Sequence, residues 1–462
     1  MKNLIYIFTA LLIMVSCDSD ETYEGLNKDP NNPTTVTADA LFTSATVSLF
    51  KQLESTSVNS NIFRMVSQYW TETQYVDEAN FDLQNRNIPQ NFWSTLYTSV
   101  LYDLKNAKEL TTDAKQKAQI EVIEVYTWQL LVDTFGDIPY SEALQGQGDA
   151  TPAYDDGNTI YTDLIARIDT AITGLGGAGT GFVQPDVIYS GDIAKWIKFA
   201  NSLKLKLAVH VGNSPAANAA AGGAFTSNAD NATIAFEGST PNTNPLWVSL
   251  VQSGRNDFVP AKTIVDVMNT LADPRRTVFF EDNLTVSGTI TYEGGVYGTT
   301  NSYALYSHIG KAMLEPTFRG VLLDYAEVEF LKAAALIGVP ETHYQNGITA
   351  SFKDWGLEAD APAYIASLSA YSEQNLAHQF WLAMYNRGFE GWFVYRKYTN
   401  HFGDGTSATD VFQVPLDTEN PIPTRFTYPV NEQTLNETNY DAASSAIGGD
   451  SQTTRIFWDP AN

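Results

Sequence analysis

Apolar residues return every third or fourth position through several long stretches of this chain. Phe92, Leu96, Val100, Leu104 and Ala107 do so within 90–110, and Val122, Val125, Tyr126 and Leu130 within 113–134. Trp196, Ala200, Leu203 and Leu207 repeat the pattern in 191–211, as do Leu322, Tyr325, Ala326, Phe330 and Ala333 in 320–337. A spacing near the helical period gathers such residues on one face. Each stretch therefore predicts an amphipathic helix, and successive helices are expected to pack as hairpins. Thr37-Ala38-Asp39 opens a further helix that extends to around Leu53. With weaker periods included, roughly ten helices are expected. No clean repeat of about 34 residues stands out, so periodicity alone does not define a helical-repeat protein. Strand patterns are confined to Thr289–Tyr292 and Ala232–Phe236. Stretches rich in Gly, Asn, Thr and Pro over 141–157, 212–231, 236–260, 281–320 and 399–455 read as loops. Loops of such length usually carry binding surfaces or support pieces.

The first residues have a different pattern. Met1-Lys2-Asn3 is a short basic start, Leu4 to Val15 is mostly apolar, and Ser16-Cys17 leads into Asp18-Ser19-Asp20-Glu21. The apolar run is too short to cross a hydrocarbon core, which needs about 20 residues. A charged start, a short apolar core and a small residue before a cut site make a secretory signal. The sole cysteine stands at the expected cut. That is the pattern of a bacterial lipoprotein, in which Cys17 is lipidated and becomes the first residue. The expected organisation is a signal peptide at 1–16, a lipidated, flexible tether at 17–36 containing Asp29-Pro30-Asn31-Asn32-Pro33, and one domain at 37–462.

Composition narrows the chemistry. Hydrophobic residues make up 44% of the 462 positions, enough for a large core. The 53 Asp and Glu outnumber 27 Lys and Arg, for a formal charge of −26, which argues against nucleic acid as a partner because phosphates would be repelled. One Cys and 5 His leave no intrachain disulfide, zinc cluster or CxxC pair. No nucleophile elbow of the Gly-x-Ser-x-Gly type occurs. Gly174 to Gly179 follows a helical stretch rather than a strand, so it does not read as a dinucleotide site. Asp77-Glu78 and scattered Asp-Asn pairs have the oxygen chemistry calcium prefers, without EF-hand spacing. No metal or cofactor is assigned. Asp324, Glu327 and Glu329 resemble a carboxylate cluster for glycoside hydrolysis. They lie in a helical motif, so they read as buried anchors. Asp417 and Glu419 lack a basic or aromatic framework.

Several segments, taken in order, resemble one family. They are Leu26 to Pro33, Leu131 to Tyr140, Trp196 to Lys204, Asp273-Pro274-Arg275, Asp324 to Ala333, Glu390-Gly391-Trp392, Arg425 to Pro429 and Arg455 to Asp459. The set is similar to the SusD/RagB family of outer-membrane nutrient-binding lipoproteins of Bacteroidota, in particular its second SusD-like branch. The acidic residues after Cys17 likewise resemble the surface-export signal of Bacteroidota lipoproteins. The resemblance implies a mainly α fold: a tetratricopeptide-like helix-pair scaffold with long decorating loops and minor β hairpins. It implies a lipid-anchored protein on the outer face of the outer membrane, and a SusC-like TonB-dependent transporter as partner. Family members act as a lid and capture device, typically for a glycan and in some relatives for peptides, and not as enzymes.

Sugars need aromatic platforms beside amide, carboxylate or guanidinium groups. Trp93, Tyr97, Trp128 and Trp196 fall on helical stripes and are assigned to the core. Loop aromatics are the better candidates: Trp70 and Tyr75 with Gln74; Trp247 followed by Arg255, Asn256 and Asp257; and Tyr292 with Tyr297 on a Gly-rich loop.

Overall fold

The computed structural model describes residues 36–148, 150–415 and 420–459. The expected signal peptide, Cys17 and the tether up to residue 35 lie outside the described residues, as do Asp417 and Glu419.

The long helices expected from periodicity are present, and side-chain caps mark their starts. α1 (Ala38–Glu54) begins after Thr37, whose Oγ1 accepts from Ala40 N at 3.2 Å. The stretch 90–110 is a rod in three parts: Ile88–Ser94, a π-helical segment Thr95–Leu101, and α2 (Tyr102–Leu110). α3 (Ala114–Phe135), α4 (Gly157–Gly176) and α5 (Ile193–His210) are capped by Asp113, Asp156 and Asp192. Each cap satisfies a first-turn amide that the helix leaves unpaired, worth about 1 kcal/mol. α3 packs on α4 and α4 on α5; α6 (Tyr325–Ala334) packs on α7 (Pro340–Asp354). α8 (Glu373–Ala383) and α9 (Gly388–Lys397) pack on one another and complete the body.

Eighteen α-helices occur among the described residues, where periodicity predicts roughly ten. The surplus is mostly short. Phe63–Val66, Arg276–Phe279 and Thr399–Phe402 are single turns, in which an apolar stripe cannot repeat. The expected loops 212–231 and 399–455 contain Ser214–Ala221, Val430–Leu435 and Glu437–Ala446. The stretch 320–337 is not one helix either. Gly320–Leu323 is a strand paired with Ala232–Ile234, and the Asp324 side chain then caps α6 by accepting from Glu327 N at 2.7 Å. The remaining sheets are also two-stranded: Thr285–Val286 with Thr289–Ile290, Ile138–Pro139 with Tyr154–Asp155, and β1 (Trp70–Glu72) with β2 (Phe258–Pro260).

The motifs that carry the resemblance meet as buried polar knots. Lys206 of α5 lies 2.6 Å from Glu390 of α9 and 3.1 Å from Glu327 of α6. Arg387 reaches Glu327 at 2.5 Å and Asp324 at 3.2 Å. All five side chains are buried. Glu329 is held by Lys332, His343 and Asn346. These acids therefore fasten helices together. In a second knot, Asp133 of α3 accepts from Tyr161 Oη (2.6 Å), Trp458 Nε1 (2.7 Å) and Gln129 Nε2 (2.7 Å), and faces His210 Nδ1 at 3.3 Å. Burial pushes His210 down to about 4, against the pull of the Asp133 carboxylate. Asp273 and Arg275 form a third knot, a fully buried pair at 2.7 Å that Ser351 and Gln379 complete.

Candidate functional site

The site is built outward from β1. β1 runs antiparallel to β2, with Trp70 opposite Pro260 and Glu72 opposite Phe258. The pairing continues past the strand: Thr73 N donates to Asp257 O at 2.8 Å, and Thr73 Oγ1 donates to Asn256 O at 2.7 Å. This sets Gln74 and Tyr75 beside Arg255, Asn256 and Asp257. Asn301 fixes a third loop to the same point. Its N–H donates to Thr73 O at 3.1 Å. Its buried side-chain amide donates to Glu72 O (2.9 Å), Val296 O (3.0 Å) and Thr299 O (2.7 Å), and Oδ1 accepts from Val296 N (2.8 Å). The loop can come this close because Gly294 and Gly295 lack side chains. A Cβ at Gly294 would sit 2.5 Å from Lys262 Cα, and one at Gly295 2.6 Å from Val259 Cγ2.

Three loops distant in sequence thus share one exposed face. Tyr75 is 69% exposed and has φ +57, a left-handed backbone uncommon for a bulky residue and concentrated at functional positions. The Arg255 side chain is 60% exposed and pairs with Asp257 at 2.6 Å. Gln74 and Asn256 are exposed. The face offers a ring, a guanidinium and two amides, the set that packs on sugar C–H groups and hydrogen-bonds hydroxyls. Trp247 is half-buried at the start of the π-helical segment Trp247–Gln252, upstream of Arg255.

Two of the aromatics expected here are core residues. Trp70 is 1% exposed; its Nε1 donates to Tyr385 Oη at 3.0 Å, and Arg64 lies over its ring. All three residues of β1 are buried, so neither strand face reaches solvent. Tyr297 is buried too, its hydroxyl donating to Met65 O at 2.7 Å. Tyr292 is half-buried, with its hydroxyl on Asp282 and Arg276 over its ring. Below the face, Glu72 is buried, and that burial together with the neighbouring Glu78 carboxyl pushes it up to about 9. It is therefore protonated at neutral pH and adds no charge under the site. Glu78, half of the Asp77-Glu78 pair considered for calcium, is ion-paired with Arg86. Thr73 and Asn301, which join the three loops, carry no sequence signal of their own.

A helix-pair scaffold that presents one convergent, aromatic and polar loop face defines a ligand-binding protein. Over residues 30–429 the chain matches the family model SusD-like_2, described as starch-binding and associating with the outer membrane, and it belongs to that family of surface nutrient-binding proteins. Solved structures agree in fold. One described as a chitin-binding protein superposes with TM-score 0.80 at 22% identity, covering 92% of this chain and 100% of its own. A chitin-binding SusD homolog from Flavobacterium johnsoniae gives TM-score 0.75 at 22% identity over 92% and 98%. A SusD homolog from Bacteroides uniformis gives 0.75 at 25% identity over 91% and 99%. No curated protein matches the chain. Among the described residues, no helix is long and apolar enough to cross a membrane.

Proposed function

We propose that this protein captures a glycan at the cell surface and delivers it to a SusC-like TonB-dependent transporter, over which it acts as a lid. The observation that carries this reading is the exposed loop face at Thr73, where Tyr75, Gln74, Arg255 and Asn256 stand together on the scaffold of a family described as starch-binding. Two solved structures of the same fold are described as chitin-binding, which supports a saccharide ligand. The pattern of residues 1–36 supports the rest. Removal of residues 1–16 and lipidation of Cys17 would tether the single domain 37–462 to the outer membrane, facing outward. Tethering raises the effective concentration of ligand at the transporter, so modest affinity suffices. Closure of the lid is a hinge motion. The work of the chain on this reading is binding, not catalysis.

Affinity electrophoresis through gels containing neutral and acidic polysaccharides, beside a peptide-digest pulldown, tests the reading. Retardation by one polymer, weakened by Tyr75→Ala or Arg255→Ala, is expected. Retention of peptides with no retardation by any polymer would reassign the cargo to peptides.

A further inference from the structure

A second concave surface lies among elements that take no part in the loop face. The rings of Trp93 and Tyr97 stand 4.8 Å apart, Tyr97 and Trp128 5.5 Å, and Trp128 and Tyr140 4.9 Å. This row of rings walls two neighbouring cavities at the turn 141–144. One, of about 620 Å³, is lined by Trp93, Tyr97, Tyr102, Pro139, Pro152 and Glu432. The other, of about 540 Å³, is lined by Trp128, Tyr140, Lys105, Asp155, Asp163 and Arg167. Leu144 borders both, and Lys105 Nζ holds its carbonyl at 2.8 Å.

Three features suit this cleft to a ligand. Tyr102 is 41% exposed beside the largely buried rings, so it offers a free aromatic face. Tyr97 and Thr98 lie in the π-helical segment Thr95–Leu101, and such segments occur disproportionately at functional sites. Glu432 is held rigidly: Oε2 accepts from Tyr154 Oη (2.8 Å) and Asn436 Nδ2 (3.2 Å), and Oε1 has no partner among the described residues. Next door Arg167 donates to Tyr140 Oη at 2.8 Å, while Tyr140 donates to Asp163. Rings alternating with fixed carboxylates complement a pyranose, whose C–H faces pack on rings while neighbouring hydroxyls donate to an acceptor. Both volumes fall in the range of small-molecule sites, roughly 300–1,000 Å³. Lys105 and Arg167 share this lining with three carboxylates, Glu124, Asp155 and Asp163, and Arg167 is ion-paired with Glu124 at 2.7 Å, so no net positive field selects an acidic sugar.

We propose that this cleft is a second, separate saccharide-binding site for a neutral glycan. The proposal rests on the reading of the protein as a glycan-capturing one. A polymer long enough to engage both sites would be held more tightly than either site alone allows, by effective concentration.

Hydrogen exchange of the purified protein, with malto-oligosaccharides and with chito-oligosaccharides as probes, tests it. Slowed exchange over 95–102 and 139–146 is expected with one probe series. The double variant Tyr102→Ala/Glu432→Gln should abolish that slowing with little shift in the unfolding midpoint, since Tyr102 is exposed and the amide oxygen introduced at position 432 can still accept from Tyr154 and Asn436. Tyr75→Ala should leave the slowing at the cleft intact. Slowing at the loop face alone would overturn the second site and leave the proposed function standing. No slowing anywhere with either series would overturn both. Slowing at the cleft by a peptide digest, and by neither sugar series, would overturn the saccharide assignment.

Discussion

Asn301→Ala removes the residue that pins the third loop to β1. Its side chain makes four hydrogen bonds to backbone: three amide donations, to Glu72 O, Val296 O and Thr299 O, and one acceptance from Val296 N. A backbone group left unpaired in the interior costs about 1–3 kcal/mol. Glu72 O belongs to a fully buried strand and bears the full cost. Val296 is exposed and Thr299 half-buried, so water replaces much of what is lost there. The expected loss is therefore about 2–4 kcal/mol in urea unfolding followed by tryptophan fluorescence. Faster hydrogen exchange over 296–301 and several-fold weaker saccharide binding should accompany it, because the face is no longer preorganised. Asn301→Asp keeps the shape but loses the donors and sets a charge against three carbonyl oxygens, so at neutral pH it should lose at least as much. An Asn301→Ala protein within about 0.5 kcal/mol of wild type, binding normally, would refute the pinning argument.

Three further outcomes are expected. Trp70→Ala should cost about 3–5 kcal/mol because it empties a core position, while Tyr75→Ala should leave unfolding unchanged and weaken saccharide retention roughly 2- to 10-fold, as loss of one stacking ring does; the reverse pattern in paired unfolding and gel-retardation assays would invert their roles. Asp273→Asn leaves the Arg275 guanidinium buried without its counter-charge and should cost about 3–5 kcal/mol by urea unfolding; a loss under about 1 kcal/mol would contradict it. His210 is held near 4 by burial, below its ordinary 6.5. Between those values the unfolded chain binds a proton that the folded chain does not. Its contribution is thus present above pH 6.5 and lost as pH falls towards 4, on the order of 3 kcal/mol. His210→Gln should flatten that part of the stability profile, and an unchanged slope would count against the assignment.

The long helices were legible because burying one face of a helix forces a repeating stripe, as Trp196, Ala200, Leu203 and Leu207 show. Gly320–Leu323 was not: a short apolar run reads equally as helix or buried strand, and only its pairing with Ala232–Ile234 decides. The candidate site was legible as chemistry but not as geometry. Trp70 and Tyr75 are neighbours in sequence, yet one is 1% and the other 69% exposed. That difference comes from where β1 meets β2, a contact between residues nearly two hundred positions apart. Asn301 gave no signal, because one polar residue in a loop makes no pattern. The row of rings Trp93, Tyr97 and Trp128 was assigned wholly to the core, and periodicity could not show that these rings also wall a cleft.

The bond from Trp458 to Asp133 spans 325 residues. Synthesis delivers residue 133 long before residue 458, so the carboxylate, the imidazole of His210 and the Tyr161 hydroxyl must wait for the segment that carries Trp458 before their shared interior can close. A ribosome that stops before residue 458, or a protease that clips the segment carrying it, leaves an acid in an otherwise finished wall with one donor missing. The body that holds the loop face is thus sealed only once Trp458, 325 residues downstream of Asp133, has arrived.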